Sequence, residues 1–274
     1  MDPGRASMTA VGTALMRAVH TRTGDPPLLD DPWGDRLFRP AEGADDLDAR
    51  LRAHPNFGTV VIRARVTEDA LAEAVARGVR QYVVVGAGMD SFALRRPSFA
   101  ESVEVFEVDH PDTQAFKLTR LSERGVEQPE GLRLIAADLG ETALDVALAG
   151  SPYRPDEPAF FAWLGVTSYL TREENLETMR AIARAGAPGS EVVLSYLDAD
   201  GMEALAEVRA SLAEAGEPWR CAYGPGEMAA DLRAAGLEPI EDLGPAELRE
   251  RHCRDRRDGL LPTPGARLAR ARVG

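Results

Sequence analysis

Short apolar runs alternate along this chain with longer segments of helical periodicity. Residues 82–85 are a tyrosine and three valines, and the run stops at Gly86. Such a run is typical of a strand that is buried on both faces of a parallel sheet. The preceding segment, residues 66–77, has apolar positions on one helical face and ends at Gly78, which predicts a helix leading into the first strand.

Six further runs predict the rest of a sheet. They cover residues 103–108, 132–137, 159–165, 191–196, 237–242 and 268–273. Helix signals lie between them, such as Pro111 at a first helical position and a capping box from Thr171 to Glu174. The last two strands are joined by a charged stretch without a convincing crossover helix. The pattern therefore predicts an α/β fold with a seven-stranded mixed sheet and an antiparallel last strand.

The length of the chain fits one domain with a large core, and no feature requires a second one. We expect a single domain over residues 1–274, in which residues 1–64 form a helical cover and residues 65–274 form the α/β core. The cover is expected over the carboxyl ends of the strands, where open α/β sheets bind ligands. A helical insertion is expected near residues 198–226, with a helix near residues 202–214.

Charge and cysteine usage exclude several classes of partner. The formal net charge of −13 repels nucleic acid and anionic membranes, so neither is expected as a partner. Cys221 and Cys253 are far apart, which argues against a zinc site, so no metal is expected, and fits a reducing compartment. No apolar run approaches the roughly 20 residues of a membrane helix, and the N-terminus lacks the apolar core of a signal peptide. A cytoplasmic location is expected.

The turn after the first strand carries the clearest chemical signal. It has the pattern Gly-x-Gly at Gly86 and Gly88, which allows a sharp turn and lets a ligand lie against the backbone. Asp109 ends the next strand, 21 positions after Gly88, where a carboxylate can accept hydrogen bonds from both hydroxyls of a ribose. These residues predict an adenosine-type cofactor.

The residues after Gly88 indicate which cofactor this is. A dinucleotide fingerprint needs glycine or alanine at position 91, but the chain has Ser91, and the carboxylate of Asp90 would repel a diphosphate. S-adenosylmethionine has no phosphate and carries positive charge, so it fits better. Two alternatives stay open at this point: a nicotinamide-dependent oxidoreductase and a non-catalytic protein that binds the cofactor. A tight turn without a ligand would be preferred only if Asp109 and the later acidic strand end were missing.

Four strings in one order resemble the leucine carboxyl methyltransferase-like family of S-adenosylmethionine-dependent enzymes. They are residues 63–65 (Arg-Ala-Arg), 86–91 (Gly-Ala-Gly-Met-Asp-Ser), 106–111 (Phe-Glu-Val-Asp-His-Pro) and 165–171 (Gly-Val-Thr-Ser-Tyr-Leu-Thr). The resemblance implies a Rossmann-like class I methyltransferase fold: a seven-stranded doubly wound sheet, an antiparallel final strand and added N-terminal helices. It also implies an O-methyltransferase that acts on a small-molecule acceptor, with a carboxylate as the first expectation.

The resemblance also implies a cofactor site. Its residues are Arg63, Arg65, Gly86, Ala87, Gly88, Asp90, Asp109, His110, Asp138, Leu139 and Leu164. Arg65 would bind the methionine carboxylate, with Arg63 as support, because a guanidinium fork matches a carboxylate. Asp138 would accept from the adenine amino group, and Leu139 would contact the ring.

One position departs from the family pattern. Many relatives carry Glu-Gly-x-x-x-Tyr-Leu, whereas this chain has Leu164 before Gly165, so a carboxylate near the ligand is missing. Two residues are candidates for lining the acceptor cavity: His20 on the cover and Tyr169 after the fourth strand. A surface position is the alternative for His20, and packing under the next helix is the alternative for Tyr169. No catalytic residue is assigned, since an ionised carboxylate acceptor needs no general base.

Overall fold

The computed structural model describes residues 8–274, and it contains seven strands and twelve α-helices in that range. The strands are β1 (Gln81–Val85), β2 (Glu104–Asp109), β3 (Leu132–Ala136), β4 (Ala159–Trp163), β5 (Glu191–Leu197), β6 (Leu237–Leu243) and β7 (Ala266–Val273). The helices are α1 (Met8–Thr23), α2 (Trp33–Phe38), α3 (Ala44–Ala53), α4 (Phe57–Ala76), α5 (Phe92–Arg95), α6 (Pro111–Glu123), α7 (Leu144–Ala149), α8 (Arg172–Ala185), α9 (Ala199–Ala204), α10 (Ala206–Glu214), α11 (Pro225–Ala234) and α12 (Pro245–His252).

All seven strands form one mixed sheet in the order β3-β2-β1-β4-β5-β7-β6. Strands β1 to β5 run parallel to one another, and β7 runs antiparallel to both β5 and β6. The predicted α/β fold with an antiparallel last strand is therefore confirmed. The strand order reverses between β1 and β4, and such a switch point is where open α/β sheets bind ligands.

The sheet is covered on both faces. Successive residues of β1 belong to opposite layers: Val83 packs with Phe161 on one face, and Tyr82 packs with Phe160 on the other. Because both faces of β1 are buried, its sequence is a continuous apolar run rather than an alternating pattern. A third apolar cluster joins α1 and α4 to Met89, which places the N-terminal helices over the carboxyl end of β1.

Several local signals have the predicted outcome. Pro111 is the first residue of α6, and His110 caps this helix by accepting from the backbone N–H of Asp112. The capping box is present at the start of α8: Thr171 accepts from the Glu174 amide, and the Glu174 carboxylate accepts from the Thr171 amide at 2.7 Å. Both signals are local, so they could be identified without knowledge of the packing.

Two helix predictions were wrong in detail. Helix α4 begins at Phe57, nine residues before the expected start, because the apolar residues Val61 and Ile62 extend its buried face. It therefore runs across the boundary expected after residue 64. The segment 202–214 is two helices that meet at Leu205 rather than one.

The stretch between β6 and β7 contains α12, although no helix was expected there. Its signals are weak because Leu248 is its one buried residue, while Pro245 and the Glu247 carboxylate, which accepts from the Gly244 amide at 3.0 Å, define its start. The antiparallel pairing of the last strand is present nevertheless.

Within residues 8–274, none of the helices is both long and apolar enough to cross a bilayer.

Candidate functional site

A cavity of about 610 Å³ lies at the carboxyl ends of β1 to β5, and cavities of this size typically hold small molecules. Its floor is formed by residues that end or follow these strands. Its roof comes from α1, from one face of α4 and from residues 216–220. The candidate site therefore lies between the carboxyl ends of the strands and the predicted N-terminal cover.

The glycine turn forms one side of the floor. Gly86 and Gly88 have φ angles of +69° and +53°, in the left-handed region that favours glycine. A Cβ on Gly86 would lie 2.6 Å from Cγ2 of Val166, so a side chain has no room there. The turn therefore keeps the backbone bare at the point where a ligand can approach.

Asp109 stands at the end of β2 beside this turn. Its carboxylate accepts hydrogen bonds from the Gly88 amide and, at 2.6 Å, from the His110 amide. Burial raises the pKa of Asp109, while the two amide bonds oppose the rise. A carboxylate offers about four acceptor positions, so two remain for the hydroxyls of a ligand.

The end of β3 supplies a second acidic position. Asp138 lines the cavity and accepts from the Gly140 amide at 2.9 Å. The His110 ring lies between two acids, with Nε2 3.7 Å from Asp138 and Nδ1 3.6 Å from Asp112. Leu139 adds apolar surface beside Asp138.

The two arginines of the family motif have opposite surroundings. Arg63 lines the cavity, and no carboxylate of residues 8–274 lies within ion-pair distance of its guanidinium. Burial lowers the pKa of Arg63 to about 10, and the positive charge of Arg17 adds to this effect. Arg65 instead projects away from the cavity, where its exposed guanidinium pairs with Asp69 at 2.5 Å. The structure therefore does not place Arg65 where it was expected, at the cavity, because its paired side chain points to the other side of the helix.

The cavity face of α4 has a regular spacing that the sequence analysis missed. The residues of this segment that line the cavity are Asn56, Thr59, Val60, Arg63, Ala64, Thr67 and Glu68. Steps of three and four residues are those of one helix face. The signal could have been found if the helix had been extended back to residue 57.

Glu68 is the acidic residue among those of this helix face that line the cavity. Its carboxylate is largely buried and pairs with Arg95. Burial raises the pKa of Glu68, and Arg95 opposes the rise. Leu164 also lines the cavity, and its side chain carries no charge. Glu68 is a buried carboxylate of this cavity that the sequence analysis did not identify.

The remaining wall is built around Tyr169. Its ring meets that of Trp219 edge to face at 6.4 Å between centroids, and burial raises the pKa of its phenol. Residues 216–220 are held in place by several hydrogen bonds. Among them, Thr9 donates to Glu217 at 2.5 Å, and the Arg220 amide donates to the Ser168 carbonyl at 2.6 Å. Tyr169 thus lines the cavity, and its contact with an acceptor stays a prediction.

His20 does not line this cavity. Its side chain is 1% exposed, and its Nε2 accepts from the Leu28 amide at 2.8 Å. Burial lowers its pKa to about 4. The structure thus places His20 neither at this cavity nor at the surface, because α1 turns its side chain into the interior of the cover.

This chain is similar in sequence to known methyltransferases. A family model described as leucine carboxyl methyltransferase matches residues 10–183. A Bacillus subtilis protein, provisionally named an S-adenosyl-L-methionine-dependent methyltransferase, is 29% identical over 291 aligned residues that cover 95% of both chains. A Parafrankia protein with the same provisional name is 35% identical over 242 residues, covering 84% of this chain and 72% of the relative.

A solved structure is similar over nearly the whole chain. It is a provisionally named methyltransferase from Thermobifida fusca with a TM-score of 0.64 and 18% identity, and the match covers 99% of this chain and 96% of that one. At this identity the likeness concerns the fold. The nicotinamide and non-catalytic alternatives have no support among these similarities.

Proposed function

Because this chain belongs to the leucine carboxyl methyltransferase family and is an S-adenosylmethionine-dependent methyltransferase, we propose that it methylates a carboxylate oxygen of a small molecule. When bound, the cofactor supplies an electrophilic methyl group on a sulfonium. The chain must hold this group, orient an acceptor in line with it and exclude water.

The cavity residues fit this cofactor. Arg63 would hold the methionine carboxylate, since it is a cation in the cavity without a carboxylate partner among residues 8–274. Gly86 and Gly88 leave space for the tail, and Asp109 has acceptor positions for the ribose hydroxyls. Asp138 and Leu139 would contact the adenine.

The composition of the acceptor wall favours a carboxylate. Among residues 8–274, His110 is the histidine that lines the cavity, and its Nδ1 accepts from the Asp112 amide at 3.2 Å on the β2 side. The wall around Tyr169 therefore offers no imidazole to deprotonate an alcohol or phenol, whereas a carboxylate is already ionised at neutral pH. Arg220 adds a cation to this wall. This absence of an imidazole base beside Tyr169 is the observation that carries the proposal.

The experiment follows the transferred methyl group. Purified protein is incubated with methyl-labelled cofactor and a panel of small carboxylates, phenols and alcohols, and each product is treated with mild alkali. A methyl ester releases labelled methanol, whereas a methyl ether does not. Alkali-labile label on an acid, and its loss in Asp109→Ala, is the expected result; label confined to alkali-stable products would overturn the proposal.

A further inference from the structure

A buried charge pair fastens the N-terminal cover to the cofactor turn. Asp31, which follows α1, is 0% exposed. Its Oδ2 accepts from Ser91 Oγ at 2.5 Å and from Arg17 Nε at 2.7 Å. The Trp33 amide donates to its Oδ1 at 3.2 Å. The carboxylate of Asp31 thus connects a segment of the cover directly to the turn that follows β1.

Arg17 extends this connection along the same turn. Its Nη2 donates to the Met89 carbonyl at 2.9 Å while its Nε stays on Asp31. Two positions of the turn, Met89 and Ser91, are therefore held by residues of the cover. The position between them is held from the core, since Lys117 donates to the Asp90 carbonyl at 2.7 Å.

The position of this turn affects Asp109. The Gly88 amide, one residue before Met89, donates to the Asp109 carboxylate. A displacement of Met89 or Ser91 would move Gly88 and release one oxygen of Asp109. Hydrogen bonds to a charged group are stronger than those between neutral groups, so loss of the Asp31 charge should be measurable as a weaker affinity for the ligand.

The surroundings keep Asp31 charged. Burial alone would raise its pKa, but the guanidiniums of Arg17 and Arg95, together with the bonds from Arg17 and Ser91, hold the pKa of Asp31 below its ordinary value. Arg95 Nε lies 3.8 Å from Asp31 Oδ1. A neutral side chain at position 31 would leave the largely buried Arg17 guanidinium without its carboxylate partner. Removing one partner of a buried ion pair is strongly unfavourable, so a single neutral substitution should disturb this arrangement.

We propose that Asp31 is a positioning residue of the cofactor site: through Ser91 and Arg17 it fixes residues 86–91 so that the Gly88 amide holds the Asp109 carboxylate in place for the ribose. The inference rests on the cofactor placement proposed above. It makes the cover a part of the cofactor site as well as a wall of the acceptor cavity.

The test compares Asp31→Asn with Asp48→Asn. Asp48 is also a buried acid of the cover, but it pairs with Arg22 and Arg39 and does not contact the turn. The probe is S-adenosylhomocysteine, measured by titration calorimetry beside thermal unfolding. Both variants should unfold at lower temperature, but Asp31→Asn should raise the Kd about tenfold and Asp48→Asn should leave it within about twofold. Equal Kd changes in the two variants, or none in Asp31→Asn, would overturn the inference.

Ser91→Ala keeps the inference testable if Asp31→Asn does not fold. It removes one hydroxyl and should raise the Kd in the same direction, and the double variant should lose less than the sum of the two single losses, because both act through one bond. Full additivity would contradict the inference, as would an unchanged Kd in Ser91→Ala.

Failure of this inference can be told apart from failure of the cofactor placement. If Asp109→Ala binds S-adenosylhomocysteine as the wild type does, the placement of the cofactor is wrong. If Asp109→Ala loses binding while Asp31→Asn and Ser91→Ala keep it, the placement stands and the positioning role of Asp31 is rejected.

Discussion

Arg63 and Arg65 stand two residues apart on α4, yet Arg63 faces the cavity and Arg65 pairs with Asp69 outside it. Two residues correspond to a turn of about 200° around a helix axis, so the two guanidiniums lie on opposite sides. The family motif contains both arginines, but the rotation of the helix against the sheet places only one of them, Arg63, at the cavity.

This relationship predicts different effects of two similar substitutions. Arg63→Gln should raise the Kd for S-adenosylhomocysteine about tenfold or more, because it removes the cation expected at the methionine carboxylate. Adenosine, which has no carboxylate, should bind Arg63→Gln almost as it binds the wild type. The measurement is titration calorimetry with both ligands.

Arg65→Gln is the matched control. Its exposed i,i+4 pair with Asp69 contributes about 0.3–0.5 kcal/mol to the helix at most, so both Kd values should stay near those of the wild type. A loss of S-adenosylhomocysteine binding in Arg65→Gln with none in Arg63→Gln would restore the first assignment.

The glycine turn offers a second comparison. Gly86→Ala and Gly125→Ala both place a Cβ at a positive φ, +69° and +64°, which costs about 1–2 kcal/mol of stability. At Gly86 the new Cβ also meets Val166, whereas nothing lies within 4 Å at Gly125. Urea unfolding should show the larger loss for Gly86→Ala. Binding of S-adenosylhomocysteine should weaken in that variant alone, and equal binding in both would mean that the turn does not approach the ligand.

A buried ion pair beneath the turn gives a prediction about stability. Lys117 and Glu107 pair with side chains that are each 2% exposed. Lys117→Met leaves Glu107 buried without its cation, so unfolding free energy should fall by about 3–5 kcal/mol. The double variant Lys117→Met/Glu107→Gln should recover part of this loss in urea unfolding.

The control for this pair is an exposed ion pair whose acid, Glu104, lies on the same strand as Glu107. Arg133 pairs with Glu104 at 3.0 Å, but its side chain is 43% exposed. Arg133→Met should therefore lower the unfolding free energy by less than about 1 kcal/mol. A Lys117→Met variant as stable as Arg133→Met would contradict the view that Glu107 depends on its partner.

The buried His20 predicts a dependence of stability on pH. Its pKa is about 4 in the folded protein and 6.5 in an ordinary setting, so between these values the unfolded chain binds a proton that the folded chain does not. This contribution to stability is complete above pH 6.5 and is lost as the pH falls to about 4, by on the order of 3 kcal/mol. In His20→Gln, the unfolding free energy should lose this part of its dependence on pH. The measurement is urea unfolding at a series of pH values.

Two other histidines also have a lowered pKa, and both are present in the wild type and in His20→Gln. Burial lowers the pKa of His54 and of His252 as well. The difference between wild type and His20→Gln therefore isolates His20. Identical slopes for the two proteins would mean that His20 takes up its proton without unfolding the cover.

The sequence by itself determined the sheet and the glycine turn. Strands β1 and β4 are apolar runs that stop at or near glycine, and Asp109 follows its strand directly, so local patterns were sufficient to place them. The family resemblance was likewise contained in short strings. These features depend on residues that are near one another along the chain.

Only the tertiary structure decided which side chains enter the cavity. The choice of Arg63 over Arg65 depends on how α4 is rotated against the sheet, and the burial of His20 depends on how α1 packs on Leu28 and Phe57. Asp31 reaches Ser91 across 60 positions of the chain, and no local pattern encodes that distance. Short-range periodicity specifies an element and its apolar face, whereas the direction of a polar side chain is set by the packing of elements that are distant in sequence.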